Sequence, residues 1–315
     1  MNAVAILLAG VARHARALLI GGLVAGIALP GLALAMKPWL PELVAALLFI
    51  AALRIGPRQA LGAVRDLPVT LGFTLLYQLL MPVVAILALA AAGWIHNSVA
   101  MALVLMLSAS PVSGGPNLTI MTGNDPAPAL RLLILGTAIL PLTVLAPLWL
   151  LPELGSADQV FAAAGRLLGV ITIATGAAFL VRGLLLPSPA ANTVKALDGA
   201  SAIGMAVIVI GLMSAVGPAI TGEPLRFAFW LVIVSIANLG LQAVVAVLLR
   251  KTRMSRDRAA YAIIAGNRNI ALFLIALPPE VTDPLLLFIG CYQIPMYLTP
   301  ILMRRLYATQ NASGG

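Results

Sequence analysis

The sequence predicts an all-α integral membrane protein with ten transmembrane helices, arranged as two inverted repeats of five. Three features predict it: the composition, ten long apolar runs, and similar clusters of Gly, Pro and Asn in the fourth and ninth runs. Of the 315 residues, 62% are hydrophobic and 9% are charged, and the mean hydropathy is +1.07. A soluble domain has about 45–50% apolar and about 25% charged residues. Long apolar runs without ten-residue alternation indicate membrane helices and not a barrel.

Each of the ten apolar runs is long enough to cross a bilayer, some with tilt. The first repeat is predicted to cover residues 1–153 and the second residues 154–315. Residues before the first run lack the basic region of a signal peptide, and we expect a short interfacial helix there. Segments 1 to 10 are residues 16–36, 38–55, 67–92, 97–123, 127–152, 159–186, 194–220, 224–250, 257–279 and 283–304.

The charged residues predict the orientation of the chain. One side of the predicted membrane receives only Lys37 and Arg226 as basic residues, whereas the other receives most of the arginines. By the positive-inside rule the arginine-rich side is cytoplasmic, so both termini lie inside and the expected location is the cell inner membrane. This distribution accounts for the basic composition without a nucleic-acid partner. The single cysteine, Cys291, excludes an internal disulfide and a cysteine-based metal site.

Arg268 is the most informative residue of the sequence. It lies inside segment 9, 10 residues after Arg258, which is about 15 Å along a helix and about half of the hydrocarbon core. A guanidinium stays charged at that depth. Buried membrane charges normally face a bundle interior or a water-filled cavity, which indicates a transport or ligand site. The alternative is an arginine that only ties helices together through backbone carbonyls.

The two halves of the chain share a pattern around this position. Segment 4 holds a Gly-Gly-Pro-Asn run at Gly114–Asn117, and segment 9 holds Gly266–Asn269. Gly, Pro and Asn are disfavoured inside helices, so we expect breaks that line a cavity, as in secondary transporters. Gln78 and Gln242 precede the two breaks and are either ion or polar core ligands or simple interhelical hydrogen bonds. The predicted substrate-binding residues are Ser113, Gly114, Gly115, Asn117, Thr119, Asn267, Arg268, Asn269 and Gln293.

These motifs resemble those of a known family. The run from Ser113 to Thr122 is similar to the segment-4 motif of the bile acid:sodium symporter family, within the bile/arsenite/riboflavin transporter superfamily. The run Ala265–Ala271 resembles the segment-9 motif of that family, and Tyr292-Gln293 its segment-10 motif. The resemblance implies a panel domain of segments 1, 2, 6 and 7, and a core domain of segments 3–5 and 8–10. It also implies that broken segments 4 and 9 cross beside the substrate, which moves by alternating access.

The departures from the family bear on its two sodium sites. The carboxylate that the sites share matches Ile264, and a nearby glutamine matches Arg268. Two sodium ligands of segment 4 fall on Leu118 and Thr119, and one of segment 5 falls on Arg131. We therefore expect the sodium sites to be lost, with Arg268 and Arg131 as built-in cations. For Arg131 the alternative is a side chain that snorkels to the headgroups. Arg166, in a predicted panel helix, either snorkels in the same way or faces the cavity.

A fixed guanidinium together with half-helix N-termini favours an anionic ligand. We expect a sodium-independent secondary transporter of an organic anion, either bile-acid-like or a small carboxylate or sulfonate. It is expected to act as a monomer without a cofactor. A sodium-coupled symporter with non-standard oxygen ligands and a membrane receptor without transport remain alternatives. Segment 4 lacks the cysteine of arsenite carriers, and the spans lack the motifs of an intramembrane enzyme.

Overall fold

The computed structural model describes residues 3–62, 66–154 and 156–307. These ranges are helical apart from turns, extended connections and one isolated β-bridge. The helices are α1 (Ala3–Arg13), α2 (Ala15–Ala28), α3 (Pro30–Met36), α4 (Leu40–Gly62), α5 (Leu67–Leu75), α6 (Met81–Ala91), α7 (Ser98–Ser108), α8 (Gly115–Met121), α9 (Ala127–Thr143), α10 (Leu145–Leu150), α11 (Ala157–Leu185), α12 (Ala191–Leu212), α13 (Val216–Gly222), α14 (Pro224–Leu249), α15 (Arg258–Gly266), α16 (Phe273–Ala276), α17 (Pro279–Thr282), α18 (Leu286–Leu302) and α19 (Arg304–Tyr307). A π-helical turn, Leu76–Leu80, joins α5 to α6.

Six helical stretches of the described chain are long and apolar enough to cross a membrane. A bent pair, Ile6–Arg13 with Ala17–Ala28, makes a seventh if it is counted as one span. An all-helical chain with this many apolar spans is a multi-pass membrane protein. The six stretches are Pro30–Gly62, Leu67–Ala91, Ala157–Leu185, Ala191–Gly222, Pro224–Leu249 and Pro279–Leu302.

The six stretches correspond to predicted segments 2, 3, 6, 7, 8 and 10. The other predicted segments do not form one continuous long helix. Segment 1 is divided between α2 and α3, segment 4 between α7 and α8, segment 5 between α9 and α10, and segment 9 between α15 and α16. Non-helical residues interrupt the helix in each of these four segments. The number of long continuous helices is therefore smaller than the ten predicted segments.

The chain divides into two compact units, and the first comprises Met1–Gly62, Ala162–Phe229 and Ala271–Cys291. Within it, α12 packs against α1, α2 and α4. Small residues allow the close approach of these helices. A Cβ placed at Gly22 would lie 2.7 Å from the Ala206 carbonyl oxygen, and a Cβ at Gly26 would lie 2.9 Å from the Ile210 carbonyl oxygen. An ion pair joins Arg54 of α4 to Asp198 of α12.

The second unit comprises Ala63–Phe161, Trp230–Ile270 and Tyr292–Gly315. Its core contains a cluster of Tyr77, Leu132, Tyr261 and Ile264, which α5, α9, α14 and α15 enclose. The rings of Phe73 and Tyr261 stack there with centroids 4.1 Å apart. Every residue of the predicted ligand-binding set lies in this unit.

Candidate functional site

The first interruption lies between α7 and α8. Asn97 caps the start of α7, because its side-chain oxygen accepts a hydrogen bond from the Val99 amide at 2.8 Å. Pro111 has no amide hydrogen and disfavours helical backbone in the residue before it. The chain is therefore extended after Ser108, and the next helix begins at Gly115, where a proline occupies the first turn.

The second interruption follows α15. Asn267 has extended backbone, with φ −110 and ψ 98, so that the helix ends at Gly266. Gly266 lies directly against the Asn238 carbonyl oxygen, and a Cβ at this position would overlap that atom. The close approach of α14 to the end of α15 therefore requires glycine at position 266.

The two interruptions pair with each other through an isolated antiparallel bridge between Pro111 and Arg268. The Val112 amide donates to the Asn267 carbonyl at 3.1 Å, and the Asn269 amide donates to the Ser110 carbonyl at 2.8 Å. We call residues 109–114 and 267–269 the bridge region. The pairing satisfies backbone groups that the helix ends leave without partners, as a buried or membrane position demands.

Arg268 is 2% exposed and donates to backbone carbonyls from three parts of the chain. Its Nε donates to Ala265 at 3.2 Å, its Nη1 to Ala109 at 3.2 Å and its Nη2 to Tyr77 at 3.0 Å. Within the described residues it forms no salt bridge with a carboxylate. The sequence left two interpretations of Arg268, a ligand site and an arginine that ties helices together through carbonyls. The contacts in this conformation are those of the second.

The three carbonyls are available because of the local backbone. Ala265 belongs to the last turn of α15, where carbonyls lack an intrahelical donor. Ala109 lies just beyond the end of α7. Tyr77 lies in the π-helical turn, whose wider spacing removes an ordinary helical hydrogen bond. Arg268 thus satisfies oxygens that irregular backbone would otherwise leave unpaired in the interior.

A polar network supports this end of α15. The Asn238 side chain donates to the Gly266 carbonyl at 2.6 Å and to the Asn267 side-chain oxygen at 3.1 Å. The Asn267 amide group in turn donates to the Ile263 carbonyl at 2.8 Å. Tyr292 accepts a hydrogen bond from the Arg268 backbone amide at 3.0 Å, and its hydroxyl donates to the Gly266 carbonyl. These bonds fix the backbone on both sides of Arg268.

Gln242 and Gln78 are both buried, and each contacts a threonine from a later helix. Gln242 Nε2 donates to Thr299 Oγ1 at 3.0 Å and to Asn238 Oδ1 at 2.7 Å, and Gln242 Oε1 accepts from the Tyr307 hydroxyl at 2.8 Å. Gln78 Oε1 accepts from Thr143 Oγ1 at 3.0 Å, and Gln78 Nε2 donates to a backbone carbonyl of α9 at 3.1 Å. Both amides are satisfied inside the protein in this conformation.

Ile264, which the sequence resemblance predicts to stand in place of a sodium-site carboxylate, is 0% exposed and lies in the apolar cluster of the second unit. A Cβ at Gly115 would lie 2.5 Å from Ile264 Cδ1, so the start of α8 packs directly on this side chain. Leu118 is also buried, and the Thr119 hydroxyl donates to the Gly115 carbonyl at 3.0 Å. Ile264 and Leu118 thus provide apolar side chains here, and the Thr119 hydroxyl is hydrogen bonded within its own helix.

The remaining predicted ligand residues differ in exposure. Ser113, Gly114, Asn117 and Asn269 are partly exposed, whereas Gln293 is 7% exposed and hydrogen bonded or otherwise in polar contact. The bridge region also contains a buried hydroxyl, Ser110 Oγ, that has no hydrogen-bond partner among the described residues. The accessible polar groups therefore lie on the segment-4 side of the bridge and at Asn269.

The other membrane arginines make different contacts. Arg131, near the start of α9, pairs through Nη2 with Asp66 at 3.2 Å, and neither side chain is fully buried. Asp125 and Asp257 also act electrostatically within this cluster. In the first unit, Arg166 donates to the Ala276 carbonyl at 3.3 Å. Arg131 thus lies among carboxylates and contributes none of the contacts found for Arg268.

Sequence reasoning missed Asn238 and the ring of Tyr77. The guanidinium carbon of Arg268 lies 5.1 Å from the Tyr77 ring centroid, a cation–π distance. A signal for Asn238 was present, because an Asn four residues before Gln242 shares its helix face inside an otherwise apolar run.

The comparisons with protein-family models and with curated proteins found no match.

Proposed function

We propose that this protein is a secondary transporter of organic anions that works by alternating access without sodium. In this proposal Arg268 holds the bridge region together in place of a bound cation. The observation that carries the proposal is the set of three backbone carbonyls, of Tyr77, Ala109 and Ala265, that the guanidinium binds. Hard cations are also coordinated by carbonyl oxygens. A fixed positive charge among these carbonyls can therefore hold the same backbone segments together as a bound cation would.

The charge of Arg268 supports an anionic substrate. It is buried and lacks a carboxylate partner within the described residues, and electrostatic interactions are strong in a low-dielectric interior. Its Nε, Nη1 and Nη2 each donate to a carbonyl, and the side chain is buried, so its attraction to the substrate acts through the electric field. The direct contacts are assigned to the partly exposed Ser113, Asn117 and Asn269. A carboxylate or sulfonate accepts hydrogen bonds from such groups.

The apolar environment of Ile264 supports the loss of the sodium sites. A sodium site favours a compensating carboxylate, whereas position 264 carries an isoleucine that packs on the start of α8. The second candidate is a sodium-coupled symporter that uses side-chain oxygens alone. The partial exposure of Asn117 and Asn269 favours this candidate, because both amides can still turn towards an ion.

The predicted ten-segment topology, with broken segments 4 and 9 and two inverted repeats, forms part of the proposal. It is supported by the two helix interruptions and by the two glutamines. Gln78 of segment 3 contacts Thr143 of segment 5, and Gln242 of segment 8 contacts Thr299 of segment 10. The panel and core domains are supported by the two units, except that residues 271–291 group with the predicted panel segments.

The proposal further holds that the protein is a monomer of the inner membrane with both termini cytoplasmic, and that it is not an enzyme. The charge distribution along the chain supports this orientation.

The deciding test measures thermal unfolding of the purified protein in sodium against potassium at constant ionic strength. A ligand present at 100 times its Kd stabilises the state that binds it by about 2.7 kcal/mol. The proposal expects equal melting temperatures in the two salts. A sodium-specific rise would instead establish the sodium-coupled candidate.

Transport itself is tested in proteoliposomes with radiolabelled cholate and pyruvate, with sodium or potassium outside. We expect one of these anions to accumulate over protein-free liposomes at the same rate in both salts. Binding of an anion without any movement across the bilayer would identify a receptor and contradict the transport proposal.

A further inference from the structure

The first unit contains a basic cavity that the transport proposal does not use. It has a volume of about 450 Å³ and lies where the ends of α4 and α11 meet the loop before α12. Its polar lining includes Arg58, Gln59, Arg182 and Ser188, and none of the described lining residues is acidic. The size falls in the range of small-ligand sites.

The backbone of α4 creates the cavity. Gly56 has φ +71, so the helix is kinked there, and Pro57 starts the helical turn that follows. L-residues with a side chain rarely adopt this conformation. A Cβ at Gly56 would lie 2.9 Å from Arg182 Nε, so glycine also provides the space in which the Arg182 side chain lies.

The two arginines of the cavity are not neutralised within the described chain. Arg182 Nη1 is buried without a hydrogen-bond partner, and neither Arg182 nor Arg58 forms a salt bridge. Asp198 of α12 is paired with Arg54. A buried guanidinium nitrogen without a partner is costly, which indicates a missing acceptor.

We infer that this cavity binds a phosphate group, and that an anionic phospholipid headgroup is its source. A guanidinium fork matches phosphate oxygens, and the hydroxyl and amide of Ser188 and Gln59 can add donors. The cavity lies at the ends of two membrane-capable helices, α4 and α11, where headgroups are found. A soluble phosphate compound offers the same chemistry. The inference does not depend on the transport proposal, because none of the cavity residues belongs to the bridge region.

The test uses the full-length protein purified in a maltoside detergent. Phosphatidylglycerol, phosphatidylcholine or inorganic phosphate is added at constant ionic strength, and bound lipid is counted by native mass spectrometry alongside thermal unfolding. The variants are Arg58→Gln, Arg182→Gln and Arg182→Lys. Arg253→Gln is the matched control, because it removes the same charge from an exposed loop elsewhere.

We expect phosphatidylglycerol, and not phosphatidylcholine, to remain bound and to raise the melting temperature of the parent protein and of Arg253→Gln. One basic residue near a membrane surface changes affinity for anionic lipid about fivefold, so Arg58→Gln and Arg182→Gln should each bind about fivefold less. Arg182→Lys should fall between, because it keeps the charge and loses the fork.

Equal phosphatidylglycerol retention by all four variants would overturn the inference. A stabilisation by inorganic phosphate alone, lost in Arg182→Gln, would keep the phosphate site and overturn the lipid as its source. Arg58 is exposed, so Arg58→Gln keeps the test decisive even if a change at Arg182 prevents folding.

Discussion

Arg268 contacts Tyr77 at two points: its Nη2 donates to the Tyr77 carbonyl at 3.0 Å, and its guanidinium carbon lies 5.1 Å from the centre of the Tyr77 ring. The first contact satisfies a backbone oxygen in the π-helical turn, and the second places the positive charge against the ring face. Together they connect the segment-9 interruption to the helix of segment 3. Five predictions follow from this site and its surroundings.

Replacement of Arg268 should destabilise the second unit strongly. Arg268→Gln leaves buried carbonyls without donors, and the expected loss is about 3–5 kcal/mol, or on the order of 10 °C in melting temperature. Tyr77→Phe is the comparison variant, because it keeps the ring and the carbonyl and removes only the hydroxyl bond to the Tyr261 carbonyl. It should cost about 1 kcal/mol. Similar melting temperatures for Arg268→Gln and the parent protein would contradict the cross-linking role.

Introducing the residues that the sequence resemblance implies for a sodium site should create a sodium response. The double variant Ile264→Glu with Arg268→Gln supplies a carboxylate and removes the fixed cation. We expect a sodium-specific rise in its melting temperature, and none in the parent protein. Ile264→Gln with Arg268→Gln is the control, since it is polar but uncharged. A double variant that folds but melts identically in sodium and potassium would argue against the built-in cation.

Two glycines that flank the bridge region should differ in their tolerance of alanine. Gly266→Ala brings a methyl group against the Asn238 backbone oxygen, which cannot move without shifting α14. Gly115→Ala meets only the flexible end of Ile264. Overpacking costs about 1–3 kcal/mol, and we expect Gly266→Ala at or above the upper end and Gly115→Ala at the lower end. Denaturation in detergent measures both, and the reverse order would refute the packing described for α15.

The two glutamine–threonine contacts should differ in strength. Thr143→Val removes the hydroxyl that donates to Gln78 Oε1, whereas after Thr299→Val the Gln242 Nε2 still donates to Asn238. An unsatisfied buried acceptor costs about 1–3 kcal/mol, so Thr143→Val should be the more destabilising change. Thermal unfolding of the two variants, which remove the same hydroxyl, checks this order. Equal losses would show that the second bond of Gln242 does not compensate.

Neutralising Arg131 should have a small effect. Its ion pair with Asp66 is partly exposed, and such pairs contribute about 0–1 kcal/mol. We expect Arg131→Gln and Asp66→Asn to lower the melting temperature by a similar small amount and to leave anion uptake intact. If Arg131→Gln abolishes uptake while Asp66→Asn does not, the result would support the interpretation of Arg131 as a second built-in cation.

The sequence by itself determined the class of the protein and the places where its helices stop. Hydropathy and helix propensity are local properties, so the apolar runs indicate membrane helices. The Gly, Pro and Asn clusters mark residues 109–114 and 267–269, where the structure interrupts its helices. The local pattern does not show whether an interrupted run still crosses the membrane. The number of predicted segments is therefore larger than the number of long continuous helices.

Only the tertiary structure decided what Arg268 binds. Its three acceptors, at Ala265, Ala109 and Tyr77, come from separate segments, and their availability depends on a helix end, an extended connection and a π-helical turn. A similar limit applies to Arg182, whose place in the cavity of the first unit depends on the kink at Gly56 in another helix. The charge of an arginine can be read from the sequence, whereas its partners depend on which backbone oxygens folding leaves unpaired nearby.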